Sequence, residues 1–361
     1  MEHISNINKK FLPWSEKYRP GIINDIIYHK QITNTITNYF KTNNLPHLLF
    51  YGPPGTGKTS AIVAIAKHYY KEDFDNMILI LNASEERGIE TVRNRIKQFV
   101  ICKGLPDSAS TPLFKLIILD EIDAMTDDAQ AILRKVIEKY VNNVRFCFIC
   151  NYLKKINPAI QSRCVIFRFN PIPYDSMYNY IIKICENENI KITKNAINLI
   201  IKKTHGDMRK LLNILQTIYM YLNNIESNNI NLNKVIFDSD EIIIENSVII
   251  NESIASTIMY CPTKKNINNL LDFIQKNNIK DSYDYLKNFI SKYSISLIEL
   301  INYVYEFCMD YIINDNKQIL NYPLDKIVNI IKNISSINDN LTYSNNDNIQ
   351  LVSFLSIFYL Q

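Results

Sequence analysis

Residues 47–59 join an apolar run, His47-Leu-Leu-Phe-Tyr51, to a glycine-rich turn, Gly52-Pro53-Pro54-Gly55-Thr56-Gly57-Lys58-Thr59, and a helical pattern follows from Ser60. The octet matches G-x-x-x-x-G-K-[ST] in the strand-before, helix-after setting that gives this motif its meaning. Its glycines let successive backbone N–H groups curl around phosphate oxygens at a helix N-terminus. Residues 52–60 are thereby expected to cradle a nucleotide, with Lys58 on the β- and γ-phosphates and the Thr59 hydroxyl on Mg²⁺. Such a turn also restricts the fold, because it needs a strand end that delivers it to a helix start.

Four further apolar runs support that restriction: residues 77–81, 115–120, 144–150 and 165–169. They are continuous rather than alternating, which predicts strands buried on both faces. Helical patterns at 60–70 and 128–140 lie between them, so residues 1–170 are expected to form an α/β core with a parallel five-stranded sheet and helices on both faces. After Pro171 the strands are expected to stop. Helical patterns at 174–187, 194–204 and 207–222, with Thr193 and Asp207 as N-caps and Gly206 as a break, predict a small helical lid over 171–222. Residues 223–253 are rich in Asn and Ile with little periodicity and read as a linker or insertion. Helical spacing returns over 254–361, an all-α C-terminal domain.

Composition excludes more than it suggests. The 361 residues are 47% hydrophobic and 21% charged, as in ordinary globular chains, and a net charge of +4 permits nucleic-acid contact without implying it. No apolar run approaches the roughly 18 residues of a membrane helix, and residues 1–10 show no secretory signal. Seven cysteines without such a signal read as reduced thiols. Cys147 and Cys150 form a CxxC, but inside a strand-like run and without a second ligand pair, so they are expected in a buried strand. The five histidines are scattered and suggest no metal cluster.

The run 116–119 ends in Asp120-Glu121-Ile122-Asp123. Carboxylates at the C-terminal edge of a parallel sheet sit where ligands bind. Asp120 is expected in the Mg²⁺ shell, and Glu121 as the general base that polarises the attacking water. Asn151 ends the fourth run, where its amide could orient water or touch the γ-phosphate; Asn is also a common strand terminator. Arg209 falls in the first turn of a helix capped by Asp207, an unfavourable end of the helix dipole for a cation, which a phosphate partner would explain. Arg163 stands just before the fifth run.

Trp14-Ser-Glu-Lys-Tyr18-Arg19-Pro20, the 52–59 octet, Asn82-Ala-Ser-Glu-Glu-Arg87-Gly, Asp120 to Asp123, Ser162-Arg163-Cys164 and Gly206-Asp-Met-Arg209 occur in this order. In that set the chain resembles the small subunits of replication factor C, the AAA+ clamp loader. The stretches 150–164 and 59–63 most resemble the branch numbered five in some species and three in others. The resemblance is close over about residues 11–222, and beyond them extends only to a helical collar used for oligomerisation. It implies an ATPase using ATP and Mg²⁺, with Tyr18, Arg19 and Pro20 around the adenine, Asn151 as sensor one and Arg209 as sensor two. It also implies that Arg163 is an arginine finger acting in trans on the neighbouring subunit's ATP, and that Asn82 restrains Glu121 until DNA arrives. Expected partners are the other replication factor C subunits in a hetero-pentamer, a PCNA-like sliding clamp and primer-template DNA bound without sequence preference. The implied location is the nucleus, and no membrane contact is expected. Two departures, Glu85-Glu86 where the family usually has two aspartates and Lys210 for a frequent arginine, remove no catalytic group.

Residues 87–103 carry Arg87, Arg93, Arg95, Lys97 and Lys103 against one acid, Glu90, and Arg93 and Lys97 share a helix face. A solvated basic face is the bland reading. The resemblance turns this helix toward the DNA backbone, which assigns Arg87, Arg93 and Lys97 to phosphate contacts. The apolar, loop-like segment 99–106 would lie where small subunits dock on the clamp, or anchor a buried loop. Two other classes compete. A branch-migration motor shares the P-loop and sensors but should lack the Trp14–Pro20 and Ser162–Cys164 motifs and carry a C-terminal winged helix. A non-hydrolysing scaffold subunit would not need Lys58, Thr59, Asp120 and Glu121 intact.

Overall fold

The structure, a computed structural model, describes residues 12–84, 89–101, 114–141, 143–227, 249–314, 324–341 and 347–359. The chain divides into two compact units, residues 1–190 with 200–220, and residues 191–199 with 221–361. In the first unit, α1 (Trp14–Lys17) and α2 (Lys30–Lys41) precede β1 (His47–Tyr51), α3 (Lys58–Tyr70) and α4 (Phe74–Met77). Then β2 (Ile78–Asn82) leads to α5 (Ile89–Ile101), β3 (Lys115–Asp120) to α6 (Asp127–Tyr140), and β4 (Val144–Cys150) to α7 (Pro158–Gln161) and β5 (Cys164–Arg168).

The sheet order is β2-β3-β4-β1-β5, and every pairing is parallel. This order follows from how the strands are used. Along β1, Leu48 and Phe50 enter one core with Ile62, Ile65 and Tyr70 of α3. Leu49 enters the other with Leu133 and Ile137 of α6. Strands β3 and β4 divide in the same alternating way, which is why their sequences are continuously apolar. Cys147 and Cys150 are two of these buried strand residues, 0% and 1% exposed. Burial raises both thiols, Cys150 to about 12, so neither is poised for redox chemistry. Two-sided burial fails at the sheet edges: Ile80 of β2 is 46% exposed and Val165 and Ile166 of β5 are 36% and 39%. An edge strand has one neighbour, and its apolar side chains here are not fully covered.

Helices α8 (Tyr174–Asn187), α9 (Lys194–Thr204) and α10 (Met208–Ser227) follow. Thr193 Oγ1 accepts from Ala196 N at 3.4 Å, and Asp207 Oδ1 accepts from Arg209 N at 2.8 Å and Lys210 N at 3.1 Å, the expected caps. Strands do not stop at Pro171. In the second unit β6 (Lys191–Ile192) pairs in parallel with β7 (Ile249–Ile250). Strands of two residues leave no periodicity to read. Helix α10 also runs past residue 222 into the stretch expected as linker, of which residues 228–248 lie outside the described ones.

The second unit continues with α11 (Glu252–Ile258), α12 (Lys264–Lys276), α13 (Ile279–Tyr293), α14 (Leu297–Asn314), α15 (Leu324–Leu341) and α16 (Asp347–Tyr359). Asn251 and Thr263 cap α11 and α12 through Ile254 N at 2.8 Å and Asn266 N at 3.3 Å. Leu270, Leu300, Val304, Ile327 and Phe354 share one core. Yet Ile298, Tyr305 and Ile312, spaced by seven along α14, are exposed. No described helix is long and apolar enough to cross a membrane.

Candidate nucleotide site

Strand register assembles the site. Tyr51 pairs with Cys150 and Asn82 with Asp120, so the turn after β1, the residue after β4 and the end of β3 all emerge on one sheet edge. One cavity there is lined by residues 54–61, Asp120, Glu121 and Asn151, by Tyr18, Arg19 and Pro20, and by Met208 and Arg209 of α10. Of the expected cradle, Gly52 and Pro53 stand behind this lining, and their carbonyls accept from Lys58 Nζ at 2.7 and 2.8 Å. Gly57 takes φ 88° as it starts α3, a left-handed conformation that a side chain would strain.

Lys58 is 7% exposed, and its Nζ also donates to Asn151 Oδ1 at 3.0 Å. Burial lowers its pKa, the carboxylate of Asp120 opposes that, and the charge of Arg209 adds to the lowering. Two cations thus face one cavity at a helix N-terminus, an arrangement suited to a multiply charged anion. The Thr59 hydroxyl lies 2.7 Å from Asp120 Oδ2. Glu121 is exposed at φ 56°, a strained conformation for a non-glycine residue, with its N–H on Asp120 Oδ1 at 2.9 Å. Asn82 Oδ1 accepts from Ser84 N at 3.1 Å and Ser84 Oγ at 2.9 Å.

Arg209 reaches the site because α10 docks on the turn. Met208 N donates to Gly55 O at 3.2 Å, and a Cβ on Gly55, at φ 69°, would fall 1.7 Å from Asp207 Oδ1. Gly55 is therefore glycine for the sake of α10. Arg19 Nε contacts Ser60 Oγ at 3.3 Å. Arg163 does not line the cavity. It is exposed before β5, with Nη2 on Glu138 Oε1 at 2.6 Å and Nη1 on Ala159 O at 2.7 Å. On α5, Arg93 and Lys97 are exposed and Ile96 is buried, whereas Arg87 lies outside the described residues. The segment expected as a loop from residue 99 is still helix through Ile101, with Phe99 and Val100 packed on the second core, and residues 102–106 lie outside the described ones.

Sequence reasoning left out several residues here. Asp123 Oδ2 accepts from Asn151 N at 3.1 Å and Tyr152 N at 3.2 Å, tying the end of β4 to the acidic motif. Its place in the quartet 120–123 was the available signal. Ile26, Tyr28, Ile172, Tyr180 and Leu212 also line the cavity, and nothing local in their sequence marks them.

Three family models match the chain. They are the ATPase family associated with various cellular activities at residues 48–172, an RFC1-like AAA+ ATPase lid domain at 175–231, and the replication factor C C-terminal domain at 262–356. The chain is 38% identical to the probable replication factor C subunit 5 of Dictyostelium discoideum over 97% of its length and 91% of that relative. It is 36% identical to human replication factor C subunit 5, covering 96% of this chain and 91% of the relative. For subunit 3 of Saccharomyces cerevisiae the identity is 36%, covering 95% and 92%. A solved structure of a Thermotoga maritima RuvB mutant superposes with TM-score 0.50 at 14% identity, over 76% of this chain and 88% of that one, a likeness of fold alone.

Proposed function

This chain belongs to the replication factor C family as an ATPase small subunit of a clamp loader, and from that premise we propose how its residues divide the work. The observation that carries the proposal is the convergence of Lys58, Thr59, Asp120, Glu121, Asn151 and Arg209 on one sheet edge. The triphosphate lies in the cradle of residues 52–60 and the base against Tyr18, Arg19 and Pro20. Lys58 and Arg209 both face the β- and γ-phosphates, and Asn151 bridges Lys58 to the attacking water. Glu121 takes the proton of that water as general base.

Thr59 and Asp120 offer two hard oxygens close together, a donor set that suits Mg²⁺ shared with substrate phosphates, and they would hold that ion. Bound there, the ion supplies charge neutralisation at the phosphates. Asn82, beside Asp120, is read as the polar partner that restrains Glu121.

Arg163 does not line this chain's own cavity and serves the next subunit's ATP as an arginine finger. An exposed ion pair contributes only about 0–1 kcal/mol, so exchanging Glu138 for a phosphate meets little resistance. The chain assembles with other replication factor C subunits into a hetero-pentamer. The exposed apolar stripe of α14 supports contacts between collar domains over residues 254–361. The helices from Tyr174 to Ser227 act as the lid. The loader acts in the nucleus, opening a PCNA-like sliding clamp around primer-template DNA that Arg87, Arg93 and Lys97 follow along its phosphates.

Three substitutions test the division between cis and trans. Lys58→Ala should remove ATP binding by this chain, and Glu121→Gln should keep binding while stopping hydrolysis. Arg163→Ala should leave binding intact and slow turnover at the neighbouring site, where a finger is worth on the order of 10³–10⁵ in rate. The whole complex should lose less, since its other sites keep their own fingers. Vigorous turnover by a demonstrably monomeric preparation, unaffected by Arg163→Ala, would overturn the shared site.

A further inference from the structure

The N-terminal segment that bears Tyr18 is held by the lid at three separate points. Trp14 is 4% exposed, its backbone N–H donates to Gln216 Oε1 at 2.9 Å, and its ring packs on Tyr219 of α10 with centroids 5.3 Å apart. Tyr180 of α8 donates its hydroxyl to Tyr18 O at 2.8 Å. Glu188, just beyond the end of α8, receives both the Tyr18 hydroxyl and the Lys17 ammonium on Oε1. The Glu188 side chain is 11% exposed, and Tyr18 and Tyr180 line the nucleotide cavity.

We propose that Glu188 is a positioning residue for nucleotide binding, fixing Tyr18 against the base and making the lid and the base wall one body. The inference rests on the reading that the base lies against Tyr18, Arg19 and Pro20. A carboxylate nearly out of solvent needs charged or hydrogen-bonding partners, and Lys17 and Tyr18 are the two it has among the described residues. The bond anchors the hydroxyl end of Tyr18, so the ring's place beside the cavity is set before a ligand arrives. Burial, and next the bond to Glu188, push the Tyr18 phenol above its ordinary pKa, so it stays a donor at all physiological pH values. Arg209 is the lid's contact with phosphate; Glu188 gives it a second hold on the ligand, at the base.

The test measures displacement of a fluorescent ATP analogue from the full-length chain by ATP and by inorganic tripolyphosphate. Glu188→Gln and Tyr18→Phe should each weaken ATP binding roughly tenfold, the lower end of what outer-shell partners contribute at metal sites. The double variant should be no weaker than the worse single one, because Tyr18→Phe removes the bond that Glu188→Gln turns from charge-assisted to neutral. Tripolyphosphate, which has no base, should bind the Glu188 and Tyr18 variants as tightly as the unaltered chain. Tyr18→Phe removes only a hydroxyl and so keeps the test decisive if Glu188→Gln folds poorly. Undiminished ATP affinity in both single variants, with Lys58→Ala abolishing it, would overturn the role of Glu188 alone. Equal losses for ATP and tripolyphosphate would reduce Glu188 to a structural strut. If Lys58→Ala also bound normally, the nucleotide reading itself would fall.

Discussion

Charge balance at single residues accounts for much of the site. Lys58 is buried beside Asp120 with Arg209 facing the same cavity; burial disfavours the Lys58 charge, and an anion in the cavity would offset both cations. His47 shows the opposite response to burial. Its Nδ1 accepts from Phe146 N at 3.2 Å, which requires the neutral ring, and burial followed by the charge of Arg145 lowers its pKa to about 4. In the unfolded chain the same imidazole titrates near 6.5. Between these values the unfolded state binds the proton and the folded state does not, so stability rises with pH across the window. Acidification from pH 7 to pH 4 should therefore cost about 3 kcal/mol through this residue. Urea unfolding at several pH values checks this, and His47→Gln should flatten the slope between pH 4 and 6.5. The histidine was visible in the sequence as the start of an apolar run and as one of a scattered set; its role depends on Phe146 and Arg145, which the pairing of β1 with β4 brings beside it.

At the scale of elements, α5 separates a basic surface from a buried anchor. Ile96 is 0% exposed while Arg93, Arg95 and Lys97 face solvent. If Arg93 and Lys97 follow DNA phosphates in the assembled loader, replacing both with Ala should weaken binding and flatten its salt dependence by about one unit per lost contact. Binding titrations over a range of salt concentrations measure this, and an unchanged slope would return α5 to a solvated surface. The helices and central strands were legible because their periodicity is imposed by packing on one or two sides. Strand β4 is read from Val144 to Cys150 because both cores use it. Strand β6 was not legible, since its two residues pair with a strand nearly sixty positions away and carry no pattern. The last turn of α5 was also missed, because a basic helix ending in Phe99, Val100 and Ile101 looks locally like an apolar loop.

For the whole molecule, the second unit has its own core and still exposes Ile298, Tyr305 and Ile312 along α14 and Ile349 and Val352 on α16. Deleting residues 254–361 should abolish assembly with the other subunits while leaving a fragment that binds ATP. Co-purification and nucleotide binding measured on the same truncated chain check both halves, and undiminished assembly would refute the collar role. Local sequence by itself determined the chemistry of each motif: the phosphate cradle, the acidic strand end, the capped arginine. Such motifs work through backbone conformation and neighbours a few residues away. Only the tertiary structure decided that they share one cavity. Strand β4 inserts between β3 and β1, so Asn151 emerges beside Lys58, and α10 returns to the turn so that Arg209 joins them. That convergence follows from burying both faces of β3, β4 and β1, a condition on the whole core that no single segment carries.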